Sequence, residues 1–425
     1  YGLLTGRYSW RTRLKAGVLS DYAGTLIEPG RLTIGEMLKQ NGYHTGMVGK
    51  WHLGLDWKLK DETAKDSMAT DPRYSDFDNI DFSSPVTKGI NDYGFDYSFA
   101  IAGSAEMNPS TFIKNGRVTV VPTLSSEEAR ETQGEWYGRD NNNIAEGFFL
   151  EDLVPTFSEK ACEFIEEASQ TQPDKPFFLY YPLTSPHNPI IPNKEFLGKS
   201  GAGAYGDFIV ELDHHIGKLL DKLVELGIDN NTMIIFTSDN GAIDITKNGE
   251  RWIRGDRNIY GHMSNAPFSG WKTQRLEGGH HVPFFVRWPE KIKPGDKVST
   301  TICINDIFPT LAEMLEIGLD SNTAEDGRSF FKTFAGTERP VSFHEAIVHH
   351  GIDGQFAIRK ENYKLMVEGP NTPQQVLDNG TPLSFFLYDV ANDIKETTDI
   401  AATHPEKVGE LHALLKTIIM NDESH

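Results

Sequence analysis

The spacing of apolar residues changes along this chain, and the changes mark its elements. Over residues 32–41 they recur at helical spacing, with Gly42 where a helix stop is expected. A short strand pattern follows at 43–48, and helical spacing returns at 152–168 and 208–226. Three continuous apolar runs, 176–183 (PFFLYYPL), 232–237 (TMIIFT) and 282–288 (VPFFVRW), suit strands buried on both faces. Helix and strand alternate, which predicts an α/β fold: a large mixed, mostly parallel sheet sandwiched by helices. From about residue 326 the texture changes to short strands at 341–349, 356–359, 363–367 and 386–390, then a helix at 404–420. The expected organisation is a catalytic-sized α/β domain over 1–325. A smaller C-terminal α+β subdomain, with a small antiparallel sheet and a closing helix, is expected over 326–425.

Two polar stretches, 56–88 and 122–146, interrupt this pattern. They read as long surface excursions, suited either to shaping a site or to a mobile exterior. The composition, 38% hydrophobic and 24% charged, is that of a folded globular protein. No apolar run approaches the ~18 residues of a membrane span. The net charge of −20 argues against a nucleic-acid partner. It also means that any anionic substrate needs local cations or a metal to reverse the field. Cys162 and Cys303 have neither zinc spacing nor a disulfide framework and are expected as buried thiols.

Three polar motifs each follow a predicted strand: GKWHLG at 49–54, TSPHNP at 184–189 and SDNG at 238–241. Ligands of open α/β sheets bind beyond the carboxyl ends of the strands, so separate motifs in these places can converge. Asp239 and Asn240 offer oxygens that suit Ca²⁺ or Mg²⁺, though Asp-Asn-Gly is also a good turn. His187, between Pro186 and Pro189, is either an acid–base group or a structural loop histidine. Lys50 and His52 share a face if extended, or form a solvated pair. A fourth segment, 270–283, contributes Lys272, an anion-binding cation or a surface charge. The GxGxxG match at 201–206 does not follow a strand, so the dinucleotide reading fails. The adjacent pairs His214-His215, His280-His281 and His349-His350 have diverging side chains and make poor metal pairs.

Together these motifs resemble the formylglycine-dependent sulfatases of the alkaline phosphatase superfamily. The family's second signature, Gly-Tyr-x-Thr-x-x-x-Gly-Lys-Trp-His-Leu-Gly, is matched throughout by residues 42–54. The SPHxP, SDNG and Lys…EGG elements follow in the family's order. The start, Tyr1-Gly2-Leu3-Leu4-Thr5-Gly6-Arg7, resembles the tail of the first signature. The resemblance implies an alkaline phosphatase-like fold and hydrolysis of aryl or carbohydrate sulfate esters. It implies that Asp239 and Asn240 are ligands of Ca²⁺, with Mg²⁺ less suited. Lys50 and Lys272 would contact sulfate oxygens, and His52 would hydrogen-bond the formylglycine diol. His187 would act with Lys272 as general acid at the leaving oxygen. The formylglycine precursor, its neighbouring Arg and a pair of Asp ligands are expected upstream of Tyr1, so the 425 residues as given are expected not to turn over sulfate esters. The resemblance also implies a sulfated small-molecule or glycan substrate and a periplasmic or secreted location. His281 departs from the pattern, standing where many members have Arg, and a local change of packing or charge is expected there. Alternatives are a phosphonate or phosphodiester hydrolase of the same superfamily, and a non-catalytic binder of sulfated glycans.

Overall fold

The computed structural model describes all residues except 62–78, 136–137, 139–141, 246–252, 259, 335, 337, 379 and 422–425. The chain forms two compact units, Leu19–Asp229 with Ile245–His262, and Tyr1–Val18 with Asn230–Asp244 and Met263–His425.

The first of these units carries strands β1 (His44–Lys50), β2 (Tyr97–Ile101), β3 (Ile113–Lys114), β4 (Arg117–Val118), β5 (Leu124–Ser125), β6 (Asn142–Ile144) and β7 (Phe177–Tyr180). Five of them form a mixed sheet in the order β4-β3-β2-β1-β7, with β1 parallel to both β2 and β7. The helix Leu153–Thr171 lies against this sheet. A Cβ on Gly46 would come within 2.6 Å of the Phe164 ring, so β1 must be bare there for the helix to approach. Val48, Phe99, Phe157 and Ala161 are buried in the resulting core. The helix Ile34–Gln40 begins where expected, with the Thr33 hydroxyl accepting from the Glu36 amide at 3.1 Å.

The described parts of the two polar stretches are more ordered than their sequences suggest. Within 122–146, β5 and β6 pair and flank the helix Ser126–Gln133, which Ser125 and Glu128 close with a capping box. At 56–88 the arms are joined by the bridges Asp56–Lys88 and Leu59–Ile80, over buried Trp57 and Phe82. Its middle, 62–78, lies outside the described residues. The helix expected from 208 starts at Gly203, where a Cβ would strike the Asn258 carbonyl at 1.9 Å.

In the other unit β8 (Ile234–Thr237) pairs antiparallel with β9 (Phe284–Arg287). Strands β10 (Ile347–His350), β11 (Phe356–Lys360), β12 (Tyr363–Glu368) and β13 (Ser384–Asp389) form an antiparallel meander beside the helix Pro405–Met420. Position 325 lies inside this unit, and Tyr8 and Trp10 from its first segment are buried in one cluster with Phe356, Leu365 and Leu411. The Val348 amide donates to the Tyr8 hydroxyl at 3.1 Å.

The apolar runs at β7, β8 and β9 do not give fully enclosed strands. Every residue of β7 is half-buried, and Phe285 is 65% exposed. Among the described strands β7 ends its sheet and β8 pairs only with β9. A continuous apolar run therefore fixed the strand but not its burial. Cys162 and Cys303 are free thiols, and both are half-buried rather than fully enclosed. No helix among the described residues is long and apolar enough to cross a membrane.

Candidate active site

The parallel pair β1–β7 positions the first group of candidate residues. Lys50 is the last residue of β1, and its amide donates to the Pro182 carbonyl at 2.7 Å. Gly49 makes that approach possible: its φ is +135°, and a Cβ would sit 2.0 Å from the Pro182 oxygen. Beyond the strand, Trp51 and His52 donate their amides to Ile101 and Ala102, at 3.1 and 2.9 Å. The chain thus leaves β1 still bound to the end of β2, and His52 adopts a left-handed φ of 50°. Its Nε2 lies 3.1 Å from the Leu19 carbonyl. A carbonyl only accepts, so Nε2 carries a proton.

His187 comes from the loop that follows β7, with its amide donating to Thr184 at 2.9 Å. Its Nδ1 lies 2.6 Å from the Asn188 carbonyl and 3.8 Å from a Glu106 carboxylate oxygen. The carbonyl only accepts, so Nδ1 carries a proton. Lys50, His52 and His187 thus lie on segments that leave the carboxyl ends of neighbouring parallel strands. Glu106 was not foreseen, because it sits in a loop without a motif.

The other unit carries Asp239, Asn240 and Lys272. Asp239 is exposed and Asn240 half-buried in the turn after β8, where the Ser238 hydroxyl donates to the Asn240 carbonyl at 2.9 Å. Gly241 then donates its amide to Gly279 at 2.9 Å, and a Cβ there would meet the Gly278 oxygen at 1.8 Å. Lys272 donates its amide to Ala242 at 2.9 Å. The Asn265 side chain joins both segments, accepting from the Ala242 amide at 2.8 Å and donating to the Ala242 and Gly270 carbonyls at 3.0 and 3.1 Å. The backbone carrying Lys272 is therefore fastened to the turn carrying Asp239 and Asn240. Arg7 pairs with Glu325 at 3.2 Å.

A carboxylate and an amide oxygen suit a hard cation such as Ca²⁺. Among the described residues no three His, Cys, Asp or Glu side chains gather as a metal cage. The donor chemistry fits, and Asp239 and Asn240 are the groups that would hold the ion. The histidine doublets form no such site. His281 stacks on Phe268 with 4.0 Å between ring centroids and lies 3.5 Å from Glu277.

The sulfatase family profile matches residues 1–317. An N-acetylgalactosamine-6-O-sulfatase of Bacteroides thetaiotaomicron is 31% identical over 98% of this chain and 82% of its own length. A steryl-sulfatase of Rattus norvegicus is 30% identical over 82% of this chain, which spans 63% of that relative. A solved structure from work on the metabolism of multiple glycosaminoglycans by B. thetaiotaomicron superposes with a TM-score of 0.80 at 30% identity. That likeness covers 99% of this chain and 88% of the other.

Proposed function

The chain belongs to the sulfatase family, with its alkaline phosphatase-like α/β fold, and from that premise we propose that it hydrolyses sulfate monoesters of a carbohydrate. The observation that carries this reading is the grouping of Lys50, His52 and His187 at the ends of β1 and β7. The N-acetylgalactosamine-6-O-sulfatase likeness supports a sulfated amino sugar as the substrate class.

The reaction moves negative charge from the sulfuryl group onto the leaving oxygen. Lys50, held at the end of β1 through its backbone, would meet the sulfuryl oxygens as a cation, and the family resemblance gives Lys272 the same role. A sugar alkoxide is a poor leaving group and needs a proton as the bond breaks. His187 donates it from Nε2, with Glu106 stabilising the charged ring. His52, its Nε2 proton fixed by Leu19, presents Nδ1 as an acceptor. Ca²⁺ on Asp239 and Asn240, together with the family's formylglycine, would supply Lewis acidity and the nucleophile.

The test is sulfate release from N-acetylgalactosamine 6-sulfate, an aryl sulfate and a phosphodiester, using the full-length protein. Sulfate esters should be preferred. Faster turnover of the phosphodiester would sink the proposal.

A further inference from the structure

We infer that Ser20, Glu106, Asn108 and Ser185 form a subsite that recognises the leaving group as a polyhydroxylated sugar. The inference rests on the sulfatase reading and deepens it.

Two short segments join the residues already described. The Leu19 carbonyl accepts from His52 Nε2 at 3.1 Å, and two residues on, the Asp21 carboxylate accepts from the Asn108 amide at 3.3 Å. Glu106, two residues before Asn108, lies 3.8 Å from His187 Nδ1. The segment 19–21 and the loop 104–108 therefore connect both candidate histidines within one unit.

These segments carry buried polar atoms that lack partners among the described residues, Ser20 Oγ and Asn108 Nδ2, and Ser185 Oγ stands two residues before His187. Asn108 is 2% exposed and Ser185 8%. Buried donors and acceptors are nearly always paired, so three such atoms on segments that adjoin the two histidines call for a ligand that completes them. Their chemistry is mixed. The Asn108 amide nitrogen only donates, the Glu106 carboxylate only accepts, and the two hydroxyls do both. Sugar hydroxyls match this set because each can donate and accept, and an acetamido carbonyl would accept from Asn108. An aryl ring offers no such partner beyond its ester oxygen.

The test is calorimetric binding of N-acetylgalactosamine 6-sulfate, 4-nitrophenyl sulfate and inorganic sulfate to the wild type and to Asn108→Ala and Ser20→Ala. Each substitution is expected to weaken the sulfated sugar about three- to tenfold, the effect of one lost hydrogen bond. Affinity for the aryl ester and inorganic sulfate should change less than twofold, which also reports an intact fold. Equal losses for all three probes would assign these residues a structural role and overturn the subsite. So would unchanged sugar affinity in both variants. If the wild type binds no sulfate ester at all, the sulfatase reading fails and takes the subsite with it. Binding of all three by the wild type with unchanged variants defeats the subsite alone.

Discussion

Lys364 lies 3.2 Å from a carboxylate oxygen of Glu277, and its side chain has no solvent exposure. Glu396 approaches the same ammonium at 2.7 Å and accepts the Glu277 amide at 2.6 Å, while Arg359 reaches the second Glu277 oxygen at 2.9 Å. Glu277 opens the Glu-Gly-Gly segment whose Gly279 carbonyl receives the Gly241 amide. Strands β11 and β12 thus anchor the backbone that carries Lys272 and abuts Asp239–Asn240. Replacing Lys364 by Met should destabilise the protein by ~3–5 kcal/mol, because two carboxylates lose their buried cation. Chemical unfolding measures this, and a loss below ~1 kcal/mol would show the triad to be incidental.

Gly241 is expected to reject a side chain. Its Cβ would overlap the Gly278 oxygen at 1.8 Å, so Gly241→Ala must push the turn away from the Glu-Gly-Gly segment. A destabilisation of ~1–3 kcal/mol is expected. Unchanged stability would mean that the turn relaxes freely.

Asp239→Ala should weaken Ca²⁺ binding by at least 10- to 100-fold, the range that even indirect supports of metal ligands produce. Calorimetric titration with Ca²⁺ reads this without reference to turnover. Equal affinity in both proteins would remove Asp239 from the coordination shell.

His187→Ala should slow hydrolysis of a sugar sulfate by about 10²–10⁴-fold, the usual contribution of a positioned acid. An aryl sulfate, whose leaving group is more acidic, should be slowed much less. Equal loss on both substrates would deny His187 the role of general acid.

Stability should fall as pH falls from about 7 to 4. Burial, then the Lys364 ammonium, lowers His280 to about 3. Burial is also the main reason that His215 and His350 lie near 4 and His349 well below its ordinary value. Unfolded histidines take up protons near pH 6.5 while these do not, so the unfolded state gains protons first and stability declines with acid. For Glu277, burial alone would raise the pKa, but the His281 hydrogen bond with Lys364 and Arg359 outweighs it and leaves the carboxyl depressed. Its contribution is therefore present above the ordinary carboxylate range and is lost as pH falls. Glu211 opposes the trend: burial raises it to about 7, so its effect disfavours folding as pH rises between roughly 4.5 and 7. Four histidines and Glu277 outnumber it, and unfolding curves at pH 7, 5.5 and 4 should show a loss of several kcal/mol. A flat or inverted profile would contradict the assignment.

The motifs were legible because their chemistry is local. A strand that ends at Lys50, or shortly before His187 or Asp239, places the residue beyond a sheet end whatever lies elsewhere. The Ser125–Glu128 box was also written in the sequence, but its polar composition read as loop. What periodicity could not disclose were pairings between distant segments. Nothing at Glu277 names Lys364, and nothing at Asn265 announces that its amide joins Ala242 to Gly270. Glu106 and Asn108 stand in a loop whose importance depends on where His187 and Asp21 arrive. The apolar run at β7 fixed a strand, while its exposure depended on its neighbours.

The Lys364 contact also bears on how such a protein can be recombined. The C-terminal meander resembles an exchangeable module, but it supplies both strand-borne cations that neutralise Glu277. Grafting another meander without a matching Lys and Arg would strand a buried anion beside the turn that carries Asp239 and Asn240. The two stretches of chain are therefore expected to tolerate exchange only as a matched set.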